Sequence, residues 1–165
     1  MMTNKQFALC CLSLLSLLGL TSWLNNQAVK NRAQEVEWMS IEEAQEKAES
    51  DPRPIFVNIY ADWCAPCKDM ENSTYLDPQV AEYLNTHFYP VKMNADNRDA
   101  ILYQGNTTTA QRLSLRTWMV RGLPAYVLLQ PDMKSPKLEM GLKDSRQMVN
   151  ILRDFEEMGQ IELAP

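Results

Sequence analysis

Apolar residues along this chain change their spacing several times, and each change marks an element. From Ile55 to Tyr60 the run Ile-Phe-Val-Asn-Ile-Tyr is almost continuously apolar, as a strand covered on both faces requires. It breaks at Ala61-Asp62, presents Cys64 and Cys67 on either side of Ala65-Pro66, and resumes with helix-compatible residues to about Ser73. That pattern predicts a buried strand delivering two thiols to a helix N-terminus. Upstream, Ser40-Ile-Glu-Glu43 has the form of a capping box and opens a helix to about Ser50, with Ile41, Ala44 and Ala48 on one face. Asp51-Pro-Arg-Pro54 stops it. Glu35 to Trp38 suits a short first strand.

Downstream, Asp77-Pro78 reads as an N-cap followed by the first residue of a helix with Val80, Ala81 and Leu84 inward. Phe88 to Met93 is expected to be a strand and Asn94 to Asp99 a polar loop. Ala100 to Met119 has no clear period: Gly105 to Thr109 interrupts it, and Ala110 to Trp118 suits a helix burying Leu113 and Trp118. Ala125 to Leu129 reads as a strand, Gln130 to Asp132 as a turn and Lys137 to Gly141 as an edge strand. Asp144 then caps a closing helix with Met148, Val149, Leu152 and Phe155 at spacings of three and four. Strands separated by helices, then two strands joined by a turn, predict an α/β chain with a central mixed β-sheet flanked by helices on both faces.

At the N-terminus, Lys5 precedes an apolar run from Phe7 to Leu24, close to the roughly 18 to 20 residues that span a bilayer. Residues 1–24 are therefore expected to be a signal peptide or an N-terminal membrane anchor, 25–34 a linker, and 35–165 one domain. Gly19-Leu-Thr21 and Asn26-Gln-Ala28 are both poor cleavage sites, so the two readings stay open. Either one places the domain in the periplasm or otherwise outside the cytoplasm, free after cleavage or held at a membrane through residues 7–24. Cys10 and Cys11 read as apolar filler of that segment.

Sixteen basic against twenty-one acidic residues give a net charge of −5, and no basic cluster appears, which argues against nucleic acid as a partner. The four cysteines form no disulfide scaffold: two are adjacent in the N-terminal run and two make a C-x-x-C. The single histidine, His87, lies far in sequence from that pair and suits a structural or surface role. The ten methionines show no metal-box spacing. Asn72-Ser-Thr74 and Asn106-Thr-Thr108 have the glycosylation pattern, which carries weight only in a host that uses it.

Asp62-Trp-Cys-Ala-Pro-Cys-Lys68, with the buried run before it and Arg121-Gly-Leu-Pro124 some sixty residues later, resembles the thioredoxin superfamily, over about Val36 to Phe155. Tyr60-Ala-Asp-Trp-Cys64, Cys67-Lys-Asp-Met-Glu71 and Asp77-Pro-Gln-Val80 are particularly similar to the C-terminal thioredoxin-like domain of DsbD-type thiol:disulfide interchange proteins. The resemblance implies a thioredoxin-like fold for residues 35–165 and a redox-active Cys64–Cys67 pair needing no other cofactor and no metal.

Cys64 is then the expected nucleophile, with a pKa below the roughly 8.5 of a free cysteine, and Cys67 resolves the mixed disulfide. Trp63 would shield the site, Ala65 and Pro66 tune its potential, and Pro124 matches the family's cis-proline with Leu123 shaping the substrate contact. Asn58 is a departure, since the family usually carries an aspartate there to accept a proton from the resolving cysteine. Glu71 and Lys92 are the candidates left to alter the local field. The expected partners are protein disulfides and an external thiol donor, a membrane thiol-transfer protein being one candidate. An oxidant or isomerase of the same fold stays open as an alternative. So does a copper-binding module using the same two cysteines.

Overall fold

In the computed structural model residues 35–162 are described. The chain runs through α1 (Ile41–Ser50), β1 (Ile55–Tyr60), α2 (Ala65–Glu71), a 3-10 turn (Thr74–Leu76), α3 (Pro78–His87), β2 (Tyr89–Asn94), β3 (Ala100–Tyr103) and β4 (Asn106–Thr109). It continues with α4 (Ala110–Arg112) leading into a π-helical turn (Leu113–Thr117), then β5 (Ala125–Leu129), β6 (Lys137–Met140) and α5 (Ser145–Glu162). β1 pairs parallel with β2 and antiparallel with β5, and β5 pairs antiparallel with β6, so the order is β2-β1-β5-β6. This is the expected mixed sheet, with β1 inside it.

Alternation along β1 explains its unbroken apolar run. Ile55, Val57 and Ile59 pack with Ile41 and Ala44 of α1 and with Leu113 and Trp118 on one face. Phe56 points to the other, where Met70, Leu84, Met148 and Leu152 from α2, α3 and α5 close the second layer. β1 therefore needs apolar side chains in both directions.

Three local expectations are corrected. Glu35 to Trp38 forms no strand: Met39 alone makes a parallel bridge to Val91, its N–H donating to Pro90 O at 2.9 Å. The segment's polar groups go instead to the Asn85 side chain, which donates to Glu35 O at 2.8 Å and accepts from Glu37 N–H at 2.9 Å. Only one half of the α1 capping box forms, because Ser40 Oγ accepts from Glu43 N–H (3.1 Å) while the Glu43 carboxylate pairs with Lys47 (3.0 Å). Gly105 to Thr109 is the second half of a hairpin. Gln104 (φ 49°) and Gly105 (φ 73°) turn the chain, and Glu42 and Gln45 of α1 bond the backbone of β3 and the turn at Leu102 and Gln104.

The readings of residues 1–24 and 25–34 fall outside the described residues. Among those described, no helix is long and apolar enough to cross a membrane.

α3 and α5 are clasped by Glu156, whose carboxylate accepts from Tyr83 Oη (2.7 Å) and sits 3.0 Å from His87 Nδ1. Burial pushes the Glu156 carboxyl up, but the hydrogen bonds from Tyr83 and His87 and the charge of His87 outweigh it and hold the pKa below its ordinary 4.5. A lowered carboxylate pKa adds stability above 4.5, and that increment is lost as pH falls below it. Chemical denaturation through this acid window should therefore show a shallower loss for Glu156→Gln than for the wild type, with a lower plateau near neutrality. Coincident pH profiles would show that the clasp contributes nothing.

Candidate active site

β1 ends at Tyr60, and the turn through Ala61, Asp62 and Trp63 sets Cys64 at the N-cap of α2, with Pro66 in the first helical turn. Cys64 Sγ accepts from the backbone N–H of Cys67 at 3.2 Å. The two cysteines form a disulfide with Cα atoms 5.3 Å apart. Each residue is only 3% exposed, so burial does not distinguish them; the capping position does. Free N–H groups and the helix dipole at that end favour negative charge on Cys64 rather than Cys67.

Ala61, Tyr60 and Leu123 pack around the pair, while Ala65 and Pro66 are exposed. Leu123 thus reaches the dithiol from the segment before β5, whose start lies beside the end of β1. The Leu123–Pro124 peptide is cis, and buried Pro124 leads into β5 with its carbonyl accepting from Gly141 N–H at 2.8 Å. That bond brings the end of β6 to the site, along with Leu142 (56% exposed).

Trp63 is 69% exposed and so is no core residue. Its indole N–H donates to Asp96 Oδ2 at 2.7 Å, pinning one edge and leaving a ring face to solvent. Asp96 is oriented in turn by its own N–H donating to Asn94 Oδ1 at 2.9 Å. The polar loop after β2 is what holds the tryptophan.

Asn58 lies beneath α2, 3% exposed, between its register partners Lys92 on β2 and Tyr126 on β5. Lys92 Nζ is 2.8 Å from Glu71 Oε1 and 4.7 Å from the centre of the Tyr60 ring. Glu71 stands four residues past Cys67, on the same side of the helix. The sequence candidates Glu71 and Lys92 are thus paired with each other, and Asn58 is the register neighbour of Lys92. His87 joins neither; it stacks on Tyr83 and meets Glu156. Burial pushes the Tyr126 phenol up, and its hydroxyl donates to Gly141 O at 2.7 Å. Asp96, Tyr60 and Tyr126 were not singled out from sequence. Nothing in a six-residue polar loop marks Asp96, but Tyr60 ends the apolar run and its position next to the dithiol turn was readable.

The family model Thioredox_DsbH, described as a protein of unknown function, DUF255, matches residues 20–154. The thiol:disulfide interchange protein DsbD of Photorhabdus laumondii is 27% identical over 139 residues, 78% of this chain and 22% of that protein. This chain spans between 12% and 22% of the length of the first curated relatives it matches. A solved DsbH oxidoreductase superposes with a TM-score of 0.59 at 20% identity, covering 74% of this chain and 85% of that one. The reduced DsbD C-terminal domain of Neisseria meningitidis superposes with a TM-score of 0.52 at 18% identity, covering 68% and 90%. The fold is thioredoxin-like, as the C-x-x-C and the later Gly-Leu-Pro implied.

Proposed function

We propose, from the premise that the chain belongs to the Thioredox_DsbH family, that it is an exported protein-disulfide reductase working by dithiol exchange through Cys64 and Cys67. The observation that carries this reading is a closed Cys64–Cys67 pair whose first sulfur caps α2 and accepts the Cys67 N–H. In the reduced protein the Cys64 thiolate attacks one sulfur of a substrate disulfide, forming a mixed disulfide and releasing one substrate thiolate. Cys67, deprotonated, attacks Cys64 Sγ, re-forms the internal disulfide and releases the second substrate sulfur. Two electrons pass from the dithiol to the substrate. An external thiol donor then resets the pair, and the interchange function in the relatives' name makes a membrane thiol-transfer protein a candidate.

Export rests on the apolar run before Asn25, and the reducing direction on the Ala65-Pro66 dipeptide and the interchange context. The test is reduction of insulin by the dithiol-loaded protein; no turnover together with tight copper binding would replace the reading with a metal-binding module.

The exposed Trp63 face, Leu123 and Leu142 form the apolar rim against which a protein substrate would lie. Freeing Trp63 should weaken that contact without touching the thiols. Asp96→Ala is expected to raise KM for insulin by roughly 3- to 10-fold, about the net worth of one ordinary hydrogen bond at an exposed site, while Asp96→Asn, which still accepts the indole N–H, largely restores it. Equal KM values in all three proteins would remove Asp96 from the account.

Asn58 cannot titrate, so Cys67 must lose its proton through Glu71 or water, and resolution should slow in acid. Asn58→Asp is expected to change the acid limb of turnover by roughly tenfold. It should also destabilise the fold, because the new carboxylate is buried beneath α2. Turnover measured against pH in both proteins decides this; superimposable profiles would eliminate the proton-route argument.

A further inference from the structure

A surface turn can leave its carbonyls to water, but the turn between β6 and α5 does not. Thr74 Oγ1, on the 3-10 turn after α2, donates to Lys143 O at 2.7 Å, and Tyr126 Oη on β5 donates to Gly141 O at 2.7 Å. Lys143 Nζ closes on Met140 O, also at 2.7 Å. Gly141 itself donates its N–H to Pro124 O at 2.8 Å, and its left-handed φ of 87°, which glycine adopts without strain, turns the chain out of β6.

Thr74 and Tyr126 make their bonds from the interior. Thr74 is 2% exposed and, with Asn58 and Ser114, is one of the buried polar residues among those described. Tyr126 is fully buried, its ring stacked on Phe56 and its oxygen 2.7 Å from Met70 Sδ on α2. The two hydroxyls therefore fasten the turn to β5, which follows Pro124, and to the segment that follows α2. Between the fastened carbonyls of Gly141 and Lys143 stands the exposed Leu142. A lone exposed leucine is ordinary. One whose neighbours on both sides are pinned from the core, next to the residue that bonds Pro124, is a contact held ready.

We propose that Thr74 and Tyr126 are positioning residues for substrate: by fixing the carbonyls on either side of Leu142 they hold it as a preset apolar contact at the rim of the dithiol, favouring protein disulfides with an apolar side chain near the reacting cysteine. The inference rests on the dithiol-exchange reading and names the substrate class for it. A turn ordered before binding escapes the entropy cost of being ordered by it, so the gain appears in substrate binding. A disulfide too small to reach Leu142 gains nothing from it.

The experiment compares reduction of insulin and of hydroxyethyl disulfide by the full chain, in wild type, Thr74→Val, Thr74→Ser, Leu142→Ala and the Thr74→Val, Leu142→Ala double variant. Thr74→Val, which keeps the shape and loses the donor, is expected to raise KM for insulin roughly 3- to 10-fold at unchanged kcat. Reduction of hydroxyethyl disulfide should stay as in wild type. Thr74→Ser, which keeps the donor, should restore KM, and Thr74→Val should add nothing in the Leu142→Ala background. Tyr126→Phe, which keeps the ring and frees Gly141 O, should show the same split between the two substrates, so the outcome does not hang on the folding of one variant. An unchanged KM for insulin, an equal loss with both disulfides, or the same rise in the Leu142→Ala background overturns the inference while leaving the exchange chemistry intact. A wild-type protein that reduces neither disulfide removes the oxidoreductase reading and this inference with it.

Discussion

Cys67→Ser is expected to leave Cys64 able to attack a protein disulfide and unable to be released from it. The product should be a stable adduct with substrate, visible on a non-reducing gel, with turnover reduced on the order of 10³-fold or more. Cys64→Ser should lose as much and form no adduct. The asymmetry follows from position rather than exposure, because both residues are equally buried. Cys64 holds the N-cap, where its sulfur accepts the Cys67 N–H at 3.2 Å, whereas Cys67 lies inside the helix facing the core. An adduct on Cys64→Ser and none on Cys67→Ser would exchange the two roles.

The second large effect is on the support under α2. Phe56 is fully buried in β1, stacked on Tyr126 with centroids 5.9 Å apart and in contact with Trp38 and Tyr75. Phe56→Ala removes the centre of this aromatic group and should cost about 3–5 kcal/mol, transfer and cavity combined. Urea unfolding should show a lower midpoint at unchanged slope. Because Tyr75 and Tyr126 lean on the same ring, α2 should also be less firmly held. A loss under about 1 kcal/mol would mean that the layer collapses into the gap, against the packing described.

What could be read in the sequence was what local rules decide alone. β1 and β5 match the expected Ile55 to Tyr60 and Ala125 to Leu129, because continuous apolar runs bounded by Pro54 and Pro124 leave little choice. Asp77 and Pro78 started α3 where an N-cap and a first-turn proline should. The C-x-x-C, Leu123 and Pro124 were legible through family resemblance, and the cis peptide at Pro124 is as expected. The β3–β4 hairpin was missed because Gln104-Gly105 is a weaker turn signal than Asn-Gly and threonine-rich β4 buries little. Glu35 and Glu37 follow Asn85, and Met39 follows Pro90, partners dozens of residues away that no window includes. The contacts of Trp63 with Asp96 and of Glu71 with Lys92 are likewise tertiary; the residue types were visible, but the pairings were not.

The most direct test of the central claim is the reduction potential of the Cys64–Cys67 couple, titrated against glutathione or dithiothreitol. A protein-disulfide reductase requires a value nearer thioredoxin's, about −270 mV, than that of a strong oxidant. A value near −120 mV would contradict the account, because reduced Cys64 and Cys67 would then hold their electrons rather than pass them on.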